Sequence, residues 1–200
     1  MELFLNATSP YARVVRIVVL EKGLSHAVTL RCCDPWADDA PLLAVNPVGR
    51  VPALVTDEGV TLSESSLIAQ YLDSVGNGDS LLPPSRLSET LHLAGLGQGL
   101  MDAAFTTVIA RKHQGKEADD TVLGRRRRRA IERTLDQLER EVNDTALPVA
   151  TALGEIVVTV ALDYLSFRLP DLDWSRSRSQ LREWRDHVAR RESFQRTAFM

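Results

Sequence analysis

The stretch Asn46-Pro47-Val48-Gly49-Arg50-Val51-Pro52-Ala53-Leu54-Val55, followed by Thr61-Leu62-Ser63-Glu64-Ser65-Ser66-Leu67-Ile68-Ala69-Gln70-Tyr71-Leu72, decides the fold. Val51 to Val55 is a short apolar run. Asp57-Glu58-Gly59 is a turn and Val60-Thr61-Leu62 returns from it, which predicts a hairpin. Ser63 or Glu64 then opens a helix, because Leu67, Ile68, Tyr71 and Leu72 recur at helical spacing.

Upstream, Met1 to Asn6 reads as a short buried strand and Ala7-Thr8-Ser9 as a polar turn. Ser9 has the character of an N-cap, with Pro10 at the first helical position, where its missing N–H costs nothing. Val14, Ile17, Val18 and Leu20 form an apolar stripe that Lys22-Gly23 ends. Val28, Leu30 and Cys32 alternate with Thr29, Arg31 and Cys33, a strand period. Asp34 to Pro47 is irregular with room for a short helix. The order βαβ then ββα predicts a four-stranded sheet carrying helices, an α/β amino-terminal domain over residues 1–75.

Residues 76–85 hold Gly76-Asn77-Gly78-Asp79-Ser80 and Pro83-Pro84 and read as a linker. Residues 86–200 read as an all-α helical-bundle domain. Its helical segments run from Leu87 to His113, from Arg125 to Val142, from Ile156 to Phe167, and through Leu181, Trp184 and Val188. The net charge of −3 in 200 residues favours neither nucleic acid nor an anionic membrane as partner. No uninterrupted apolar run reaches the roughly 20 residues of a bilayer span. Met1-Glu2-Leu3-Phe4-Leu5 lacks a basic leader, and the only cysteines are the neighbours Cys32 and Cys33, so a reducing, cytoplasmic setting is expected.

Three local signals combine into one site. Ser9 puts a hydroxyl at a helix start, Val51 offers backbone groups before a proline, and Glu64-Ser65 sets a carboxylate beside a hydroxyl at another helix start. Such groups suit a small peptide with a thiol, a carboxylate and an amino-acid head. A thiol titrates near ~8.5, and each unit of lowering takes about 1.4 kcal/mol of preferential interaction with the anion. A hydroxyl donor backed by free N–H groups at a helix amino terminus supplies that interaction. The Tyr11 phenol is the rival donor; its place in the first turn also suits a pocket wall. A serine cap and a Ser-Glu-Ser-Ser helix start also occur as plain structural devices.

The blocks Ser9-Pro10-Tyr11-Ala12-Arg13-Val14-Val15-Arg16, Asn46 to Leu54 and Leu62 to Leu72 resemble those of cytosolic glutathione transferases of bacterial type, with serine at the amino-terminal active-site position. Gly154-Glu155-Ile156 and the segment from Trp184 to Phe194 extend the resemblance over the chain. It implies a thioredoxin-like domain followed by a helical domain, usually in a homodimer, with glutathione as co-substrate and no metal. It implies a cis bond at Val51-Pro52, whose preceding backbone pairs with the peptide. Carried onto this sequence, Ser9 is the catalytic donor to sulfur. Ser9, Arg50, Val51, Glu64 and Ser65 bind glutathione: Arg50 takes a far carboxylate, Ser65 the α-carboxylate and Glu64 the α-ammonium. The expected activity is transfer of an alkyl or aryl group to the thiol, in detoxification. Tyr11 and Phe105 would line a pocket for the small hydrophobic electrophile, between the domains. Conjugation, isomerisation, dehalogenation and peroxide reduction all remain open, as does a regulatory or protein-interaction module of the same fold without turnover.

Other features carry structural readings. Cys32-Cys33 lacks a C-x-x-C arrangement, since Ser9 and Ala12 occupy the helix start, so one cysteine should point inward as a small hydrophobe. The five residues Arg125 to Arg129 sweep about 500° of helix and make no single clean face. Arg127, four before Ile131, should be partly buried, and Glu132, Asp136, Glu139 and Glu141 should answer the charge. The four histidines lack zinc-ligand spacing. Relatives carry a serine or threonine three residues before an aspartate ahead of the central helix. Here Ala152 stands three before Glu155, which weakens that cap. Asn143 to Ala150 reads as a tight connection.

Overall fold

The amino-terminal alternation of apolar residues builds a four-stranded sheet in the computed structural model, which describes residues 1–143 and 151–199. The sheet comprises β1 (Glu2–Leu5), β2 (Thr29–Cys32), β3 (Ala53–Val55) and β4 (Thr61–Ser63), in the order β2-β1-β3-β4. β1 and β2 run parallel with Leu3 opposite Leu30, joined through α1 (Pro10–Glu21). β3 runs antiparallel to β1, with Phe4 opposite Ala53, and β4 returns beside β3, with Ala53 opposite Ser63. α2 (Ala40–Val45) precedes β3, and α3 (Ser65–Val75) follows β4. This is the thioredoxin-like arrangement that the resemblance implies. The connection expected over Asn143 to Ala150 lies outside the described residues, apart from the end of a helix at Asn143.

Both faces of the sheet are covered, which explains the near-continuous apolar character of β1. Phe4 packs with Leu42 and Ala53 on the α2 face, joined by Cys33, Val45, Val51 and Val55. Leu3 and Leu5 alternate to the other face and are buried. α1 and α3 contribute fully buried Val15, Ile17, Val18, Ile68 and Leu72. β2 departs from the alternation seen in sequence: all four of its residues are exposed. It is the edge strand, and the buried cover of the sheet does not extend over it. Cys32 is exposed and Cys33 half-buried, its Sγ 3.5 Å from the Leu5 carbonyl.

The chain divides into two compact units, Met1–Pro84 with Glu192–Met200, and Ser85–Arg191. Residues 86–200 therefore do not all belong to the helical unit. The tail carrying α8 (Glu192–Arg196) joins the first unit for a physical reason. Arg13 of α1, 3 % exposed, donates to the Phe194 carbonyl at 3.3 Å and lies 4.7 Å from the centre of the Phe199 ring. The Ser193 hydroxyl donates to Glu21. Residues 76–84 also belong to this unit. Lys22, 2 % exposed, pairs with Asp73 of α3 at 3.0 Å and donates to the Asp79 carbonyl at 2.9 Å.

The helical unit contains α4 (Leu87–Gln114), α5 (Val122–Asn143), α6 (Leu153–Arg168) and α7 (Ser179–Val188). α6 is buried along nearly its whole length. α4 lies against it so closely that a Cβ on Gly97 would fall 2.7 Å from the Val158 nitrogen. Pro84–Gln114 is long and apolar enough on average to cross a bilayer. Its face with Gly97, Leu100, Met101 and Ala104 is buried within this unit, so we read it as a core helix. The weakened cap of α6 is half of a capping box. The Glu155 carboxylate accepts the Ala152 N–H at 3.1 Å, but alanine has no side chain to return the bond. Arg86 meets the same carboxylate at 3.3 Å. Arg127 is half-buried, while its four arginine neighbours are exposed.

Candidate functional site

The strand registers bring the three sequence signals to one end of the sheet. β1 ends at Leu5 and leads to Ser9. Ala53, opposite Phe4, starts β3, so Val51 stands just beyond that same end. Ser63, opposite Ala53, ends β4, so Glu64 and Ser65 emerge there too. Antiparallel pairing thus brings signals at positions 9, 51 and 64 to one end of the sheet.

Ser9 is the N-cap of α1, half-buried, with φ −77° and ψ 122°. Its Oγ accepts the Ala12 N–H at 3.2 Å. That bond uses an oxygen lone pair and leaves the O–H to donate. Pro10 at the first position supplies no competing N–H. Asn6 shapes the approach: its carbonyl accepts the Ser9 N–H at 3.1 Å, and its side-chain oxygen accepts the Thr8 N–H at 3.0 Å and the Thr8 hydroxyl at 2.8 Å.

Val51 is half-buried against the Phe4–Leu42–Ala53 cluster, and its bond to Pro52 is cis. Buried Asn46 sets the loop before it. Its Nδ2 donates to the Arg50 carbonyl at 2.9 Å, and its Oδ1 accepts the Val48 N–H at 3.2 Å. Gly49, at φ +67°, makes the turn between them, a conformation that favours glycine. The Arg50 side chain is exposed.

Glu64 occupies the N-cap of α3 with φ 68° and ψ 119°, left-handed backbone that a non-glycine residue rarely adopts. Its exposed carboxylate makes no cap hydrogen bond. The plain capping role is therefore absent here, and the first N–H groups of α3 lack a side-chain partner from the cap. Buried Ser65 stands at the first helical position among them. A helix start with open N–H groups and positive potential is suited to a carboxylate.

Tyr11 is half-buried in the first turn of α1, two residues from Ser9. Phe105 is half-buried on α4, in the other unit. Burial, then the nearby Asp39 carboxylate, push the Cys33 thiol up, which disfavours a reactive thiolate. Among the described residues no group of three or more His, Cys, Asp or Glu is placed to hold a metal. Sequence reasoning missed Asn6 and Asn46 as positioning residues. The signal for Asn46 was present in Asn46-Pro47-Val48-Gly49, where a polar residue precedes a turn and its own side chain can complete it.

Residues 8–75 match the family of glutathione S-transferase N-terminal domains. Over 201 aligned residues the chain is 32% identical to a protein of Escherichia coli (strain K12) described as the uncharacterized GST-like protein YibF, covering 98% of each. A crystal structure of a glutathione transferase family member from Pseudomonas fluorescens Pf-5, with bound glutathione, is 35% identical, with a TM-score of 0.90 and 98% of each chain covered. A stringent starvation protein A homolog of Histophilus somni is 36% identical over 83 residues, 42% of this chain and 38% of that protein.

Proposed function

The chain belongs to the glutathione transferase family, and on that premise we propose that it is a serine-type transferase of the cytoplasm that binds glutathione and directs its thiolate onto a small hydrophobic electrophile. One observation carries the reading: Ser9, Val51 and Glu64-Ser65 converge at a single end of the sheet, with the Ser9 hydroxyl still able to donate. Glutathione bound to the similar Pseudomonas protein supports the choice of ligand.

In this reading the Ser9 O–H donates to the glutathione sulfur. Together with the positive potential at the start of α1, it favours thiolate over thiol. Val51 offers its backbone to the cysteinyl backbone of the ligand. Ser65 and the open N–H groups of α3 take the α-carboxylate, Glu64 takes the α-ammonium, and Arg50 takes the far carboxylate. Binding then fixes the sulfur for attack, and proximity supplies the remaining rate advantage. Tyr11 contributes apolar surface for the electrophile. The functional assembly in this reading is a homodimer acting in detoxification.

The test is ultraviolet titration of the thiolate in the glutathione complex, for the wild type and Ser9→Ala. The wild-type complex should titrate at least one unit below free glutathione. Ser9→Ala should raise that value by about one unit, equivalent to about 1.4 kcal/mol, and lower turnover with an aryl halide by a similar factor of about ten. An unshifted wild-type titration, or a Ser9→Ala titration that matches it, refutes the role of Ser9. The likeness to stringent starvation protein A homologs, concentrated in part of the chain, favours one second reading, a glutathione-binding module without turnover. Retention on immobilised glutathione with no product from a panel of electrophiles would select that module.

A further inference from the structure

The arginine run on α5 lacks the counter-charges that the sequence pattern offers it. Glu132 and Asp136 both bind Arg178 at 2.7 Å. Glu139 turns to the start of α7, where it accepts the N–H groups of Gln180 at 3.2 Å and Leu181 at 2.7 Å. Glu141 meets His92 at 3.0 Å and Gln137 at 2.6 Å. Every carboxylate expected to answer the run is engaged elsewhere. Among the described residues none forms an ion pair with Arg125, Arg126, Arg129 or Arg133.

Helical geometry then turns a sequence run into a stripe. At about 100° per residue, Val122, Arg125, Arg126, Arg129 and Arg133 fall within an arc of about 100°, opposite the buried Ile131, Leu135 and Leu138. The stripe is about 17 Å long at about 1.5 Å per residue. All five residues are exposed, Val122 at 73 %, with Leu123 beside it at 64 %. Arg125, in the first turn of α5, also donates to the neutral Asp120 carbonyl just ahead of the helix, a bond that leaves its charge uncancelled.

We propose that this face of α5 docks an acidic protein segment, a helix with Asp or Glu at i, i+4 spacing beside an apolar residue that meets Val122 and Leu123. Two features favour a protein over the alternative polyanions. The stripe is all arginine without lysine, which matches protein interfaces, where arginine is enriched and lysine depleted. The exposed Val122-Leu123 pair gives a protein surface something to bury and a phosphate backbone nothing.

The probe is a fluorescein-labelled helical peptide of 21 residues (roughly six turns) with glutamates at i, i+4 and one terminal leucine pair, compared with its all-glutamine counterpart. Fluorescence anisotropy should show saturable binding of the acidic peptide, at least tenfold tighter than the glutamine peptide and weakened at high salt. The exposed triple variant Arg125→Gln/Arg129→Gln/Arg133→Gln should weaken it at least tenfold, and Val122→Ser severalfold. The charge-matched control Arg31→Gln/Arg176→Gln/Arg182→Gln should leave it unchanged. Circular dichroism of each variant checks the fold. No acidic-peptide binding, equal loss in the control, or tighter binding of a labelled DNA duplex or of phosphatidylserine vesicles overturns the proposal.

Discussion

Replacing Glu64 by glycine should make the protein more stable and a poorer glutathione binder at once. Its φ of 68° puts a side chain where only glycine is comfortable, at a cost of about 1–3 kcal/mol. Its carboxylate makes no cap bond that would offset this. Glycine removes the strain but adds freedom to the unfolded chain, worth about 0.5–1 kcal/mol. The net gain is about 1 kcal/mol, which for a chain of this length raises Tm by about 2–4 °C. In the proposed site the lost charge pair with the ligand's ammonium is exposed. Its loss should cost about 1–2 kcal/mol, or roughly a 5- to 30-fold weaker Kd. Glu64→Gln keeps the side chain and the strain while removing the charge. It should leave Tm within about 1 °C of the wild type yet weaken binding comparably. Thermal unfolding without ligand and calorimetric titration with glutathione measure the two effects separately. A Glu64→Gly protein that melts lower refutes the strain argument. A Glu64→Gln protein that binds glutathione like the wild type refutes the ammonium contact.

Three further perturbations probe a buried ion pair, a loop support and a helix contact. Lys22→Ala leaves Asp73, whose side chain is 9 % exposed, without its cation and should destabilise the protein by about 3–5 kcal/mol in urea unfolding at pH 7. Burial would raise the Asp73 carboxyl, but the Leu81 N–H, Lys22 and Ser80 together hold it below its ordinary value. Its contribution is therefore full above the unfolded carboxylate pKa of ~3.9 and fades as pH falls through the lower folded value, so the gap between wild type and Lys22→Ala should narrow on acidification to below about pH 4. Asn46→Ala removes the bonds to Arg50 and Val48 and should weaken glutathione binding several-fold by loosening the loop before Val51; affinity unchanged by calorimetry would deny Asn46 a positioning role. Gly97→Ala forces a Cβ to within 2.7 Å of the α6 backbone and should destabilise by about 1–3 kcal/mol through overpacking, a loss visible in unfolding midpoints.

The sequence made the sheet legible because each of its signals is local. Ser9-Pro10 announces a helix start by cap chemistry alone, and the structure returns Ser9 as N-cap with Pro10 first in the helix. The turn at Asp57-Glu58-Gly59 likewise fixes the β3–β4 hairpin. The alternation from Val28 to Cys33 also returns as the strand β2, although all four of its residues are exposed at the edge of the sheet. The left-handed backbone at Glu64 leaves no trace in a glutamate codon. It is imposed by the need to turn from β4 into α3 within one residue, and tertiary context overrides local preference there. The place of the carboxyl-terminal tail is hidden from sequence for a related reason. Phe194 reads as one more apolar helical residue, whereas its place is set by Arg13, 181 positions earlier.

Charge is where pattern and structure part most clearly. A carboxylate three or four residues from an arginine suggests a pair along one helix, worth only about 0.2–0.5 kcal/mol. α5 takes stronger alternatives across elements. Arg178, 8 % exposed, donates to Glu132 and Asp136 together, and Glu139 satisfies backbone N–H groups at the start of α7 that would otherwise lack partners. A partly buried guanidinium or an uncapped helix start loses more by going unpaired than an exposed arginine does, because water already solvates the latter. The carboxylates therefore go where desolvation is greatest, and the exposed arginines keep an uncancelled field. The same competition explains Glu155, drawn to the Ala152 N–H and Arg86 at the buried start of α6. A helical wheel ranks contacts by spacing; the folded chain ranks them by the cost of leaving each group alone.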